Sequence, residues 1–122
     1  MKIFWVGNAH TDALAKLFAE GTNQDQKDLS YRELKAKVDA SYTNYFATGW
    51  CKALQEIGYE TENIVVNADW LQKLWLAENS VYKNDVSLEE ILLLQIKAYR
   101  PDILFTDDCC SAFFVQQVKK EV

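Results

Sequence analysis

Two adjacent acids and the only histidine of the chain each follow a stretch that is typical of a buried strand. Asp107 and Asp108 follow the apolar run in "PDILFTDD", and His10 follows "KIFWVGNA". A carboxylate that accepts a hydrogen bond from one imidazole nitrogen fixes the tautomer of the ring and leaves the other nitrogen free to take a proton from a hydroxyl group. His10 and Asp107 are therefore candidates for a general-base dyad.

Each of these residues also has a simpler interpretation. Asp107 has the residue type of a helix N-cap, and Asp108 would favour the positive end of the dipole of the helix that follows. His10 would then be a solvent-exposed histidine in a loop. The sequence alone leaves these alternatives open.

The three cysteines, Cys51, Cys109 and Cys110, match no zinc or disulfide pattern. Their number is odd, and a single histidine does not complete a Cys/His site. We expect reduced, partly buried thiols and no bound metal. Cys109 and Cys110 precede a predicted helix, whose dipole would lower a thiol pKa, so a redox role remains an alternative.

Three short apolar segments predict the strands that would position these residues. Lys2 to Val6, Glu62 to Asn67 and Asp102 to Thr106 are rich in β-branched and aromatic residues. The near-continuous apolarity of the first segment favours burial on both faces, as in a parallel sheet.

Helical patterns alternate with these strands. Capping boxes are formed by Ser30 with Glu33 and by Ser87 with Glu90. A long amphipathic helix from Tyr42 is expected to end at Gly58, where the residue type suits a left-handed cap. Further helices are predicted from Asp69, with Asp69 and Gln72 as the capping pair, from Leu88 to a stop before Pro101, and over 112–122.

The alternation of strands and helices predicts the fold class. It is an α/β fold with a doubly wound, Rossmann-like parallel sheet of three or four strands. A chain of 122 residues suits one domain, spanning 1–122. Because ligands bind beyond the carboxyl ends of the strands in such a sheet, the predicted site consists of Gly7, Asn8, His10, Asn67, Asp107 and Asp108.

Composition and motifs argue against several other functions. The net charge of −5 would repel a nucleic-acid backbone, and no stretch approaches the ~18 apolar residues of a membrane helix. After the first strand "GNAHTD" has one glycine where a dinucleotide fingerprint has three, and no phosphate-binding loop ends in Gly-Lys-Ser/Thr. We therefore expect a cytoplasmic protein without nucleic-acid partners, a membrane span or a cofactor.

Three segments of this chain resemble a known enzyme family. "MKIFWVGNAH", "CKALQEIGYETENIVVNADWLQKLW" and "LEEILLLQIKAYRPDILFTDD" are similar to the N-terminal Rossmann-like domain of bacterial GT-B glycosyltransferases of the CgeB-type and family-4-like groups. The resemblance implies an enzyme that moves a sugar from a nucleotide-sugar donor to an acceptor hydroxyl. It also implies that a domain of this kind holds the acceptor, while a second Rossmann-like domain holds the donor.

The resemblance assigns roles to the predicted site. In inverting family-1-type members a histidine after the first strand is the base and an aspartate after a later strand orients it, which corresponds here to His10 and Asp107. Gly7, Asn8, Asn67 and Asp108 would then bind substrate. Since the 122 residues hold no second domain, we expect them to be a fragment of a larger transferase, or a relative that has lost catalysis, and to be inactive alone.

The runner-up function belongs to a different class. A small flavodoxin-like, non-catalytic interaction module would associate with itself as a homodimer, through an open sheet edge or an aromatic surface. Trp70 and Trp75 lie about one helical turn apart and would form part of such a surface.

Overall fold

In the part of the chain that the structure describes, three parallel strands form a single sheet in the order β2-β1-β3. They are β1 (Lys2–Gly7), β2 (Glu60–Val65) and β3 (Ile103–Thr106). The computed structural model describes residues 1–8, 29–40, 45–79, 86–106 and 111–121, with the backbone alone at 45–48. Within these ranges the architecture is a small Rossmann-like or flavodoxin-like α/β fold, as the sequence predicted.

Five helices lie within the described ranges. They are α1 (Tyr31–Ala40), α2 (Tyr45–Glu56), α3 (Asp69–Glu78), α4 (Leu88–Tyr99) and α5 (Ala112–Glu121). The described helices and strands thus alternate around the sheet, with β1 as its central strand.

Helices cover both faces of the sheet because successive side chains of a strand point to opposite sides. One face of β1 carries Phe4 and Val6, which pack against α4 and α5 through Ile96 and Phe114. The other face carries Trp5, which packs against Trp50 and Cys51 of α2. Burial on both sides explains why β1 reads as a continuous apolar run.

Several local signals act as the sequence predicts. Ser30 Oγ accepts a hydrogen bond from the Glu33 amide, and Ser87 Oγ accepts one from the Glu90 amide. Gly58 has a φ of 100°, a left-handed conformation that glycine adopts without steric cost. These contacts are local in sequence, which is why the residue types alone predict them.

Three details differ from the sequence-based expectation. The strand β2 begins at Glu60 and ends at Val65, because its pairing with β1 starts at Lys2 and Glu60. The helix α2 has an exposed Ile57 beyond its end, 70% accessible, although Ile57 was predicted to belong to the apolar stripe. The prediction that Asp69 and Gln72 cap α3 is wrong. The N-cap residue is Ala68, and no side chain forms a capping hydrogen bond there.

Gln72 is instead part of a buried polar contact between α3 and α4. Its amide group exchanges two hydrogen bonds with that of Gln95, at 2.9 Å and 3.0 Å between nitrogen and oxygen. Both side chains are buried. Because each amide satisfies the other, the pair is tolerated in the core and fixes how the two helices meet.

We expect Gln95→Leu to lower the free energy of unfolding by about 1 to 3 kcal/mol, because it leaves the buried Gln72 amide without its partner. The double variant Gln72→Leu/Gln95→Leu should recover most of this loss, since no polar group then remains unpaired. Urea denaturation of the wild type, both single variants and the double variant measures the coupling. Additive losses in the double variant would contradict this interpretation.

Candidate functional site

The carboxyl ends of the strands form one rim of the sheet. Val6 pairs with Thr106 of β3, and Gly7 pairs with Val65 of β2. The Val66 amide donates to the Gly7 carbonyl oxygen at 2.9 Å, which continues the pairing past the end of β2. Since paired strands lie about 4.8 Å apart, the ends of β2 and β3 each lie directly beside the end of β1 at this rim.

The strand order places a topological switch at the same rim. The chain passes from β1 to β2 on one side and reaches β3 on the other side of β1. The strand order therefore reverses between β1 and β3, and doubly wound folds bind ligands at such a switch point. In the sequence, His10 lies four residues after Val6, and Asp107 directly follows Thr106.

The structure describes three of the six predicted site residues. Gly7 is buried at the end of β1, and Asn8 after it is exposed. Asn67 is partly buried in the turn after β2 and makes interactions of its own. The chain therefore brings Gly7, Asn8 and Asn67 to adjacent strand ends. The other three positions, His10, Asp107 and Asp108, lie outside the described residues.

Ser111 occupies the N-cap position of α5, the position that the simpler interpretation of the sequence gave to Asp107. Ser111 Oγ accepts a hydrogen bond from the Phe114 amide at 3.1 Å and is 3.4 Å from Glu89 Oε1, to which it donates. The helix begins at Ala112, so Asp107 lies four residues before its N-cap. The alternative in which Asp107 is the N-cap residue of this helix is therefore wrong.

Sequence reasoning missed one polar residue of the rim. Thr106 is the last residue of β3, is partly buried, and lies opposite Val6 of β1. Its hydroxyl group is a hydrogen-bond donor and acceptor next to the switch point between the two strands. The signal was available, because Thr106 is the polar residue that ends the apolar run before Asp107.

The described residues offer no metal centre and no exposed reactive thiol. Among them, no cluster of three or more His, Cys, Asp or Glu side chains is placed to hold a metal ion. Cys51 is free and buried, and its burial raises the pKa of the thiol, which keeps it protonated and unreactive at neutral pH. Cys109 and Cys110 lie outside the described residues.

A cavity of about 650 Å³ lies away from the predicted rim. It is bounded by α1, by the last turns of α3 and α4, and by Phe4 and Glu62 of the sheet. Lys2 Nζ donates to the carbonyl oxygen of Tyr99, so the end of α4 lies beside the beginning of β1. The cavity lies over the face of the sheet that carries Phe4, Glu62 and Ile64, next to the ends of α3 and α4, where sequence reasoning expected no site.

Two tyrosines of this cavity have perturbed hydroxyl groups. The pKa of Tyr99 is raised to about 12, mainly by burial of the phenol and to a smaller extent by the negative charges of Glu60 and Glu62. Burial, followed by the carboxylates of Glu62 and Asp39, also raises the pKa of Tyr31. Both phenols are therefore neutral hydrogen-bonding groups at physiological pH.

The raised pKa of Tyr99 predicts a loss of stability at alkaline pH. In the unfolded chain the phenol ionises near its ordinary value of 10.0, whereas in the folded chain it stays protonated to about 12. The unfolded state therefore binds fewer protons than the folded state in this window. The contribution of Tyr99 to the free energy of unfolding is fully present below pH 10.0 and is lost as pH rises to about 12. Urea denaturation across this range should show a smaller fall for Tyr99→Phe than for the wild type. Equal falls in both proteins would refute the assignment.

No helix in the described part of the chain is long and apolar enough to cross a membrane. Comparisons with protein-family models, with curated proteins and with solved structures found no match to this chain. The topology of the strand ends and the residue types that follow them are therefore the observations that bear on function.

Proposed function

We propose that this chain is the acceptor-binding domain of a glycosyltransferase that moves a sugar from a nucleotide sugar to an acceptor hydroxyl. The observation that carries the proposal is the pairing of Val6 with Thr106 across the switch between β1 and β3. Because of this pairing, the segment that contains His10 and the segment that begins with Asp107 follow neighbouring strand ends in the sequence. These strand ends lie at the rim where α/β folds bind ligands.

The proposed reaction is a direct displacement at the anomeric carbon of the donor. His10 takes the proton of the acceptor hydroxyl, and Asp107 stabilises the imidazolium through the other ring nitrogen. The acceptor oxygen forms the new glycosidic bond, and the bond from the anomeric carbon to the nucleoside diphosphate breaks. The diphosphate leaves with the bonding electron pair.

The remaining rim residues would bind and orient the acceptor. Asn8, Asn67 and Asp108 offer amide and carboxylate groups for its hydroxyls, and the backbone at Gly7 permits close approach. The donor is held by a second domain in this proposal, and no metal or cofactor takes part. We place the protein in the cytoplasm, where the free Cys51 stays reduced.

The proposal is tested with the complete native protein and a panel of nucleotide sugars. We expect one of them to release its nucleoside diphosphate in the presence of mixed oligosaccharide and glycoside acceptors, with a matching mass increase of one acceptor. The 122 residues alone should show no release. Turnover by the 122 residues alone, or no release by the complete protein with any donor, would refute the proposal.

A second candidate function, self-association without catalysis, is favoured by the surface of β3. This strand pairs with β1 on one side and lies at the end of the strand order. Ile103 and Phe105 remain 45% and 43% accessible, on the face of the sheet where the Phe105 ring stacks on Trp5 with 4.4 Å between centroids. An edge strand with exposed apolar side chains is a template for pairing with a second copy. Trp70 does not add to this surface, since it packs against the core.

The self-association candidate predicts a dimer that depends on concentration and on Ile103. Sedimentation velocity from about 1 μM to 1 mM would show a monomer-dimer transition if it is correct. Ile103→Lys should then abolish the dimer because it places a charge on the sheet edge, whereas the matched control Phe113→Lys on α5, 74% accessible, should not. A monomer at every concentration would remove this candidate.

A further inference from the structure

We draw no further inference here: the strongest candidate, the exposed face of β3 at Ile103 and Phe105, is the surface already described for self-association, and nothing in the described part of the chain shows what else would cover it.

Discussion

His10→Ala in the complete protein should lower the turnover of the nucleotide sugar about 10²- to 10⁴-fold, the usual contribution of a positioned general base. The thermal unfolding of the variant should match that of the wild type, since the prediction concerns proton transfer. The measurement is initial-rate kinetics at saturating donor, which separates kcat from KM. The loss should appear in kcat.

The pH dependence distinguishes a base from a residue that only supports the fold. Wild-type activity should fall as the solution becomes acidic enough to protonate the histidine, because protonation removes the base. This acid limb should be absent in His10→Ala. Lys120→Gln, at an exposed position of α5, serves as the control and should retain both the rate and the limb. Turnover unchanged by His10→Ala would exclude His10 from the mechanism.

Phe4→Ala should lower the free energy of unfolding by about 3 to 5 kcal/mol, which is a large part of the stability of a domain of this size. Phe4 lies on the central strand, is 1% accessible, and packs in the cluster that joins the sheet to α4 and α5. Truncation removes its apolar contacts and leaves a cavity that two layers of structure border. The neighbouring side chains therefore have little freedom to fill the space.

Phe113→Ala is the matched control for this prediction. Phe113 has the same side chain but is 74% accessible at the start of α5, so its loss should change stability by less than about 0.5 kcal/mol. Urea denaturation of both variants gives the comparison. Similar losses for the two phenylalanines would mean that the core does not lie between β1 and helices α4 and α5.

The fold was predictable where local signals and hydrophobic pattern agree. The serine caps at Ser30 and Ser87 and the glycine at Gly58 depend on contacts within a few residues, so residue type suffices. Pro101 correctly marked the end of α4, where Arg100 adopts a left-handed conformation with a φ of 54°. The continuous apolar run of β1 correctly indicated a parallel sheet with helices on both faces.

The errors occur where contacts between distant segments override these signals. Gln72 has the residue type and spacing of a capping partner, but its amide bonds to Gln95, which lies 23 positions away in sequence. The start of β2 follows from its pairing with Lys2, since the residues at Glu60 and Thr61 do not themselves indicate a strand. Neither contact is visible to reasoning that considers one segment at a time.

The rim and the cavity differ in the same way, because only the rim could be predicted from the sequence. The rim follows from the order of elements, because every parallel α/β sheet collects its strand ends at one edge. The cavity of about 650 Å³ depends on how α1, α3 and α4 pack, which brings Lys35, Glu62 and Tyr99 together from three parts of the chain. Sequence spacing contains no signal for that arrangement.

A double-mutant cycle on His10 and Asp107 tests the proposed dyad most directly. In the complete protein, kcat/KM is measured for the wild type, His10→Ala, Asp107→Ala and the double variant. If the two residues act as one unit, each single variant should lose about 10²-fold or more, and the double variant should lose little beyond the worse single variant. Losses that multiply, or variants as active as the wild type, would contradict a dyad at the rim between β1 and β3.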